Sequence, residues 1–258
     1  MSILDEIADN KRAEIAKRSA SCPIETLRGR GRGDFAAAMK AAGIGLVAEV
    51  KRKSPSAGLI RRPLVPADVA AAYEKAGAQA VSVLLDEKYF GGGEGDFVEV
   101  RRAVSLPMLY KEFVVDEWQI RHAASLGASA VLLIAGILNA VEIEGFMACA
   151  RDCGLDVLAE VHDAQEVDKI KPLQPAVVGI NNRDLKTFKV DIETTFRLKD
   201  RLAGDALIIS ESGIRSASDV KRLHDNGIGG ILVGEQLLRQ PDIETAVKEL
   251  MKEVRPCS

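Results

Sequence analysis

Residues 76–85 read AGAQAVSVLL, which joins the end of an amphipathic segment, a glycine and a short apolar run. The same order returns in LGASAVLLIA at residues 126–135 and in NGIGGILVGE at residues 226–235. A glycine between an amphipathic segment and an apolar run is typical of the loop that leads from a helix into a strand. The chain is therefore predicted to repeat a helix–loop–strand unit.

Eight apolar runs are predicted to be strands. They begin roughly 20–35 residues apart, which leaves room for a strand, a loop and a crossover helix. Most are continuous rather than alternating, as expected for parallel strands covered on both faces. The runs are GLVAEV (45–50), AVSVLL (80–85), PMLY (107–110), AVLLIA (130–135), DVLAEV (156–161), AVVGI (176–180), ALIIS (206–210) and GILVGE (230–235).

Eight consecutive βα units with no linker favour an α/β protein with a closed (β/α)8 TIM barrel. An open doubly wound sheet is the alternative, but no G-x-G-x-x-G motif follows the first strand. We expect one domain over residues 1–258, with a helical N-terminal extension at about 1–44 and the barrel at about 45–254. Helices at about 2–19 and 34–42 are expected within the extension and could cap one end of the barrel.

Composition excludes several classes of protein. The 258 residues include 35 Lys+Arg and 38 Asp+Glu, for a formal charge of −3, which argues against a nucleic-acid binder. The four cysteines form no disulfide framework and the three histidines no ligand pattern, so we expect a reducing compartment and no metal. The first 20 residues are charged throughout and resemble neither a signal peptide nor a membrane span, which favours the cytoplasm and no membrane partner.

Charged and polar residues follow the apolar runs where the predicted strands end. In a (β/α)8 barrel alternate strand residues point inward, and the active site lies at the carboxyl ends of the strands. A structural ion-pair network could explain one or two charges there, but six at one opening favour catalysis. The residues expected to converge are Glu49, Lys51, Lys111, Glu160, Asn181, Arg183 and Glu211, whereas Asn182 should point away.

Two glycine-containing turns are expected to bind phosphate. Ser212 and Gly213 follow the seventh run, and Gly234 and Glu235 follow the eighth. Barrels commonly hold phosphate in these two loops through backbone N–H groups. Since the Glu235 carboxylate would repel a dianion, backbone contacts would have to bind the phosphate there. The KRKSPSAG loop after the first run, which contains Ser54, could act as a mobile lid.

The chain resembles the indole-3-glycerol phosphate synthase family of tryptophan biosynthesis. The resemblance runs from about residue 2 to about residue 250, and KSPS, KYFGG and GINNRDLKTF are specific as a set. It is also carried by AEVKRKSPSAGLI, SVLLDEKYFGGG, LPMLYKEFVVDEWQI, AVLLIAGIL, LAEVHD, GINNRDLKTFKVD, SESGI and ILVGEQLL. Departures are few: Tyr110 stands where a basic residue is common, and Glu235 where some members have serine.

The resemblance implies a reaction and roles for the residues at the opening. The substrate would be 1-(2-carboxyphenylamino)-1-deoxyribulose 5-phosphate, converted without metal or cofactor into indole-3-glycerol phosphate, carbon dioxide and water. Lys111 would be the general acid and Glu160 the base, with Lys51 near the substrate carboxylate. Glu49 and Glu211 would orient the lysines, and Asn181 and Arg183 would hold carboxylate and hydroxyls. The remaining substrate contacts would come from Ser54, Ser212, Leu84, Phe90, Phe113, Leu132 and Leu185.

Two rival functions are weighed against this one. Phosphoribosylanthranilate isomerase, a neighbouring barrel in the same pathway, would require a cysteine base after the first strand and an aspartate after the sixth. Glu49, Lys51 and Asn181 occupy those places. A catalytically inactive barrel that serves as a scaffold would be expected to lack one of the catalytic residues, and none is missing. The expected partner is a small phosphorylated molecule, and the chain is expected to be a monomer or a weak homo-oligomer.

Overall fold

The computed structural model describes residues 3–184, 187–202 and 204–254. Eight parallel strands close into a barrel in which each strand pairs with the next one along the chain, and the last pairs with the first. This confirms the predicted TIM barrel. The strands are β1 (Gly45–Val50), β2 (Ala80–Leu84), β3 (Met108–Lys111), β4 (Ala130–Ile134), β5 (Asp156–Val161), β6 (Val177–Asn181), β7 (Leu207–Glu211) and β8 (Gly230–Val233).

Helices separate the strands and surround the barrel. Three of them begin at a capping box, in which Asp116, Asn139 or Ser216 accepts a hydrogen bond from a backbone N–H of the first turn. The helices are α1 (Ile3–Ser21), α2 (Phe35–Lys40), α3 (Pro66–Lys75), α4 (Glu87–Phe90), α5 (Glu94–Ala103), α6 (Glu117–Ser125), α7 (Ala140–Asp152), α8 (Ala164–Ile170), α9 (Glu193–Lys199), α10 (Ala217–Asp225), α11 (Glu235–Leu238) and α12 (Ile243–Met251). Short 3-10 turns cover Ile24–Thr26 and Lys171–Leu173, and Lys53–Ser54 pairs with Gly58–Leu59 in a small hairpin after β1.

Alternation along each strand divides the apolar core into two layers. One layer lies between the strands and the surrounding helices. The other fills the barrel itself with inward residues such as Val47, Leu109, Leu158 and Ile209. Because the interior is filled below, the space left inside the barrel lies at the carboxyl ends of the strands.

The two helices of the N-terminal extension lie at opposite ends of the barrel. Phe35 and Met39 of α2 are fully buried against the amino ends of the strands. A Cβ atom on Gly45, the first residue of β1, would lie 2.6 Å from Cε of Met39. Leu4 and Ile7 of α1 instead line the cavity at the carboxyl ends. The expectation that both helices cap one end of the barrel was therefore wrong, because α1 lies at the opening and α2 covers the base.

A buried ion cluster attaches α1 to the barrel. Lys11 is completely buried, and its Nζ lies 3.1 Å from a carboxylate oxygen of Asp86 and 3.0 Å from one of Glu112. Burial raises the pKa of Glu112 to about 7, although Lys11 opposes the shift. Asp86 follows β2 and Glu112 follows β3, so a single lysine fixes the helix to two strand ends. Among the described residues, no helix is long and apolar enough to span a membrane.

Candidate active site

A cavity of about 300 Å³ opens at the carboxyl ends of the strands, at the lower end of the range for small-molecule sites. Charged residues from β1, β3, β5 and β7 reach into it, as the sequence predicted from their positions. Helix α1 and the loops after β1, β6, β7 and β8 complete its walls. The residues that converge there come from all parts of the barrel.

Lys111 is the centre of the charged group. It ends β3, and its Nζ lies 2.8 Å from Oε2 of Glu160 and 2.7 Å from Oε2 of Glu211. All three residues are less than one-tenth exposed. Burial alone would lower the pKa of Lys111, but the two carboxylates, with a further contribution from Glu49, outweigh burial and raise it. Lys111 is therefore firmly protonated before any ligand binds.

The two carboxylates beside Lys111 are not equivalent. Burial acts against ionisation of Glu160, but Lys111 and His162 outweigh it and hold its pKa well below the usual range. Burial raises the pKa of Glu211 to about 8, although Lys111 opposes the shift, and the charge of Glu160 adds to it. Oε1 of Glu211 is buried, and none of the described residues forms a hydrogen bond with it. The pKa values of the two carboxyls are thus shifted in opposite directions, that of Glu160 towards the ionised form and that of Glu211 towards the protonated form.

Glycine 179 makes room for this arrangement. It lies inside β6, and a Cβ atom there would overlap Oε1 of Glu211. A glycine within a strand often marks a close approach by another group. Gly179 therefore contributes to the site by leaving space for the carboxylate of Glu211.

A second ion pair lies at the end of β1. The Nζ of Lys51 is 2.6 Å from Oε1 of Glu49, and both side chains line the cavity. Glu49 is almost fully buried, whereas Lys51 is partly exposed. A Cβ atom at Gly234 would lie 2.8 Å from Oε1 of Glu49. Gly234 therefore also provides space for this carboxylate.

The side chains at the end of β6 and just after it point alternately into the cavity and away from it, as alternation predicts. Asn181 donates from Nδ2 to Oε1 of Glu160 at 3.3 Å, and its Oδ1 accepts the backbone N–H of Arg183. Arg183 lines the cavity, and no carboxylate of the described residues forms an ion pair with it. Asn182 points outward, where it donates to Oγ of Ser210 and accepts from Thr195. Within the described part of the chain, the guanidinium of Arg183 donates only a long hydrogen bond, from Nη1 to the carbonyl oxygen of Phe188 at 3.5 Å, so its charge is available to an anion in the cavity.

An apolar wall covers one side of the cavity. The rings of Phe90 and Phe113 lie 6.0 Å apart between centroids. Helix α1 adds aliphatic side chains, and Ser54 of the small hairpin lies at the edge. Leu185 lies outside the described residues. The predicted wall residues that the structure places at the cavity are Leu84, Phe90, Phe113 and Leu132.

The turn after β7 has an unusual backbone. Ser212 has φ of 67° and Gly213 has φ of 82°. Positive φ is uncommon for serine, and such strain is frequent where backbone groups must point at a ligand. A Cβ atom at Gly213 would lie 2.5 Å from Cγ1 of Val190, so only glycine fits there without a shift.

Basic side chains that the sequence analysis did not single out stand near this turn. Arg215 and Arg239 line the same end of the cavity, together with the uncharged amide of Gln236. Oε1 of Glu235 is 2.9 Å from Arg239, so the acid that seemed unfavourable beside phosphate is paired along α11. Arg215 comes two residues after Gly213, and Arg239 follows α11, which begins directly after Gly234. Their positions just beyond the two expected phosphate turns are the signal in the sequence that could have identified them.

His162 is the other residue that the sequence analysis missed. Its Nε2 lies 3.2 Å from Oε1 of Glu160, and Nδ1 lies 3.1 Å from Oε2 of Glu166 in α8. Because it follows Glu160 by two residues, its side chain lies on the same face of the strand. This alternation is the signal in the sequence that could have identified it. Among the described residues, no group of three or more His, Cys, Asp or Glu side chains could hold a metal ion.

The fold and site together define a (β/α)8-barrel enzyme with acid–base groups at the carboxyl ends of its strands. Sequence comparison names the family. The profile of the indole-3-glycerol phosphate synthase family matches residues 4–250. The chain belongs to this family, whose members are carboxy-lyases of tryptophan biosynthesis.

Named relatives agree over nearly the whole chain. Indole-3-glycerol phosphate synthase of Geobacillus sp. (strain WCH70) is 42% identical over 255 residues, which cover 98% of this chain and 98% of the relative. That of Caldanaerobacter subterraneus subsp. tengcongensis is 40% identical, covering 98% of this chain and 99% of the relative. That of Rhodospirillum rubrum is 42% identical, covering 96% and 98%.

Solved structures with little sequence similarity share the fold. A mandelate oxidase variant with an FMN adduct has a TM-score of 0.64 at 15% identity, covering 93% of this chain and 92% of that one. Thiamine phosphate pyrophosphorylase from Pyrococcus furiosus has a TM-score of 0.62 at 14% identity, covering 83% and 96%. At these identities the likeness concerns the barrel alone.

Proposed function

We propose that the protein converts 1-(2-carboxyphenylamino)-1-deoxyribulose 5-phosphate into indole-3-glycerol phosphate, carbon dioxide and water, with Lys111 as general acid and Glu160 as base. The observation that carries these roles is the buried Lys111 ammonium, placed 2.8 Å from Glu160 and 2.7 Å from Glu211. An acid and a base must reach the same reacting carbons, and this geometry supports both roles in one cavity.

In the proposed reaction Lys111 gives its proton to the ribulose carbonyl oxygen as the ring carbon that bears the carboxylate bonds to the carbonyl carbon. Carbon dioxide then leaves, and its bonding electrons restore the aromatic ring. The new hydroxyl leaves as water with a proton from Lys51, and Glu160 removes the carbon-bound proton that completes the indole. Lys111 and His162 overcome burial and keep Glu160 ionised at neutral pH, which is the state in which a carboxylate can accept a proton.

The opposite ends of the cavity suit opposite ends of the substrate. The anthranilate ring would lie against Phe90 and Phe113, with its carboxylate near Lys51 and Arg183. The phosphate would bind the backbone of Ser212, Gly213 and Gly234, with Arg215 and Arg239 contributing positive charge. Asn181 would contact the ribulose hydroxyls, and Ser54 and Glu235 would lie at the rim. Remote contacts of this kind position the reacting carbons.

The binding partner, the compartment and the oligomeric state are also proposed. A small phosphorylated substrate is the partner that the cavity supports, since it has both an apolar wall and a basic end. We further propose that the protein works in the cytoplasm without metal or cofactor, as a monomer or a weak homo-oligomer.

The test is incubation of the purified protein with the carboxyphenylamino-deoxyribulose phosphate while indole absorbance and fluorescence are followed. Product should form with the unaltered protein and should be reduced at least ~10²-fold with Glu160→Gln, which keeps the size of the side chain. Phosphoribosylanthranilate is the comparison substrate for the isomerase alternative. Turnover of that compound, or no indole product from folded protein, would refute the proposal.

A further inference from the structure

His162 is in direct contact with Glu160 and has no role in the proposed reaction. It is enclosed on both sides by carboxylates: Glu160 from β5 and Glu166 from α8. Oε2 of Glu166 also accepts the backbone N–H of His162 at 2.8 Å. Glu166 thus holds both the backbone and the ring of His162. It thereby fixes the position of Nε2, on the other side of the ring, beside Glu160.

The ring has an acceptor at each nitrogen. Nε2 is buried and lies within ion-pair distance of Oε1 of Glu160, at 3.2 Å, and it has no hydrogen-bond partner among the described residues. A neutral imidazole has one nitrogen with a lone pair, and either tautomer would direct that lone pair at a carboxylate oxygen. Only the imidazolium carries a proton on both ring nitrogens, one facing each carboxylate. The two carboxylates accordingly raise the pKa of His162 to about 10, although burial opposes them.

This cation distinguishes the two carboxylates around Lys111. Glu160 and Glu211 share the Lys111 ammonium at 2.8 and 2.7 Å, so Lys111 alone would treat them almost alike. Among the described residues, only Glu160 has a second cationic neighbour, whereas Oε1 of Glu211 is buried without a partner. When two nearby carboxylates have different surroundings, one ionises and the other holds the proton.

We propose that His162, held as an imidazolium by Glu166, is a positioning residue that selects Glu160 rather than Glu211 as the ionised carboxylate of the active site. The inference rests on the proposed base role of Glu160. Its effect would reach the substrate only through that carboxylate.

The direct test observes His162 itself by NMR of its ring nitrogens in the unaltered protein at pH 8, with His162→Gln used to assign the signal. Both nitrogens are expected to carry a proton. A neutral ring at that pH would overturn the inference. Since this measurement needs no substrate, it separates failure of the inference from failure of the proposed function.

The kinetic test compares His162→Gln and Glu166→Gln with His122→Gln, a buried histidine outside the cavity. Loss of the imidazolium should raise the pKa of Glu160. The acidic limb of the pH profile of kcat should then move to higher pH by about one unit or more, which is a tenfold loss of kcat at any pH on that limb. KM should change little, and the loss should shrink as pH rises. His122→Gln should leave the limb in place.

Thermal unfolding shows whether each variant is folded. If His162→Gln fails to fold, Glu166→Gln carries the kinetic test, because it removes the anchor and leaves the ring in place. A folded variant that loses activity equally at every pH would show that His162 has a structural role only, and would overturn the inference.

Discussion

Replacement of Lys111 by methionine tests whether the buried charges serve catalysis or the scaffold. Methionine fills a similar volume without the ammonium, so Glu160 and Glu211 would face each other with no cation between them. Their oxygens now lie 2.8 and 2.7 Å from the Lys111 Nζ. His162 would remain beside Glu160 but not beside Glu211.

Two magnitudes follow from this geometry. Loss of a general acid costs about 10²–10⁴ in kcat, which is roughly 3–5 kcal/mol in the barrier. Removal of one partner from a buried ion group costs about 3–5 kcal/mol of folding free energy when the remaining charge cannot escape. Here Glu211 can stay protonated, because its pKa is already about 8 with the lysine present.

The stability loss should therefore depend on pH. Without Lys111 the folded-state pKa of Glu211 rises further above the unfolded value, and Glu160 loses the largest of the charges that hold its pKa down. A group whose pKa is raised by folding adds stability below its unfolded pKa and loses it as pH rises through the folded one. Lys111→Met should consequently be destabilised more at pH 8 than at pH 5.

The assay pairs urea unfolding at pH 5 and pH 8 with turnover of the carboxyphenylamino-deoxyribulose phosphate. Lys111→Met/Glu211→Gln is the matched control, because it removes one of the two facing acids. It should recover most of the stability lost at pH 8 and none of the activity. Near-normal turnover in either folded variant would refute the acid role of Lys111, and recovery of activity together with stability would point to a scaffold role.

Further predictions follow from the surroundings of the site. Gly179→Ala should lower kcat/KM while the fold remains, since the added methyl group would overlap Oε1 of Glu211; unchanged kinetics would contradict that packing. Lys11→Met leaves two buried carboxylates without their cation, so urea unfolding should show a loss of about 3 kcal/mol, against almost none for exposed Lys17→Met. The kcat/KM should fall as pH rises through about 8, because ionised Glu211 repels an anionic substrate. A pH profile of Glu211→Gln that keeps the same alkaline limb would exclude this explanation.

Local pattern was sufficient to predict the barrel. Apolar runs and glycine stops recur at each βα unit, and they report on the two faces of a strand or the stripe of a helix. Alternation then predicted the inward direction of Lys111 and Glu160 and the outward direction of Asn182, which the structure bears out in its contacts with Ser210 and Thr195. These features depend on neighbours in sequence, so the sequence contains them.

The end of the barrel that each helix of the N-terminal extension covers could not be predicted from local sequence patterns. Both α1 and α2 have apolar residues that could cover either end of a barrel. The end that each one covers depends on complementary partners: Met39 against Gly45 at the base, and Lys11 against Asp86 and Glu112 at the opening. Those partners are distant in sequence, and packing selects among them only after the barrel has closed.

The sequence by itself determined the fold, the family and the set of charged residues at the opening. Only the tertiary structure decided how those charges pair and in which direction their pKa values shift. Lys111 is 49 residues from Glu160 and 100 from Glu211, and no local pattern encodes their separation of 2.7–2.8 Å. A pKa depends on burial and on charges within a few ångströms, whichever part of the chain supplies them. The raised pKa of Lys111 and the contrast between Glu160 and Glu211 exist only once the barrel brings them together.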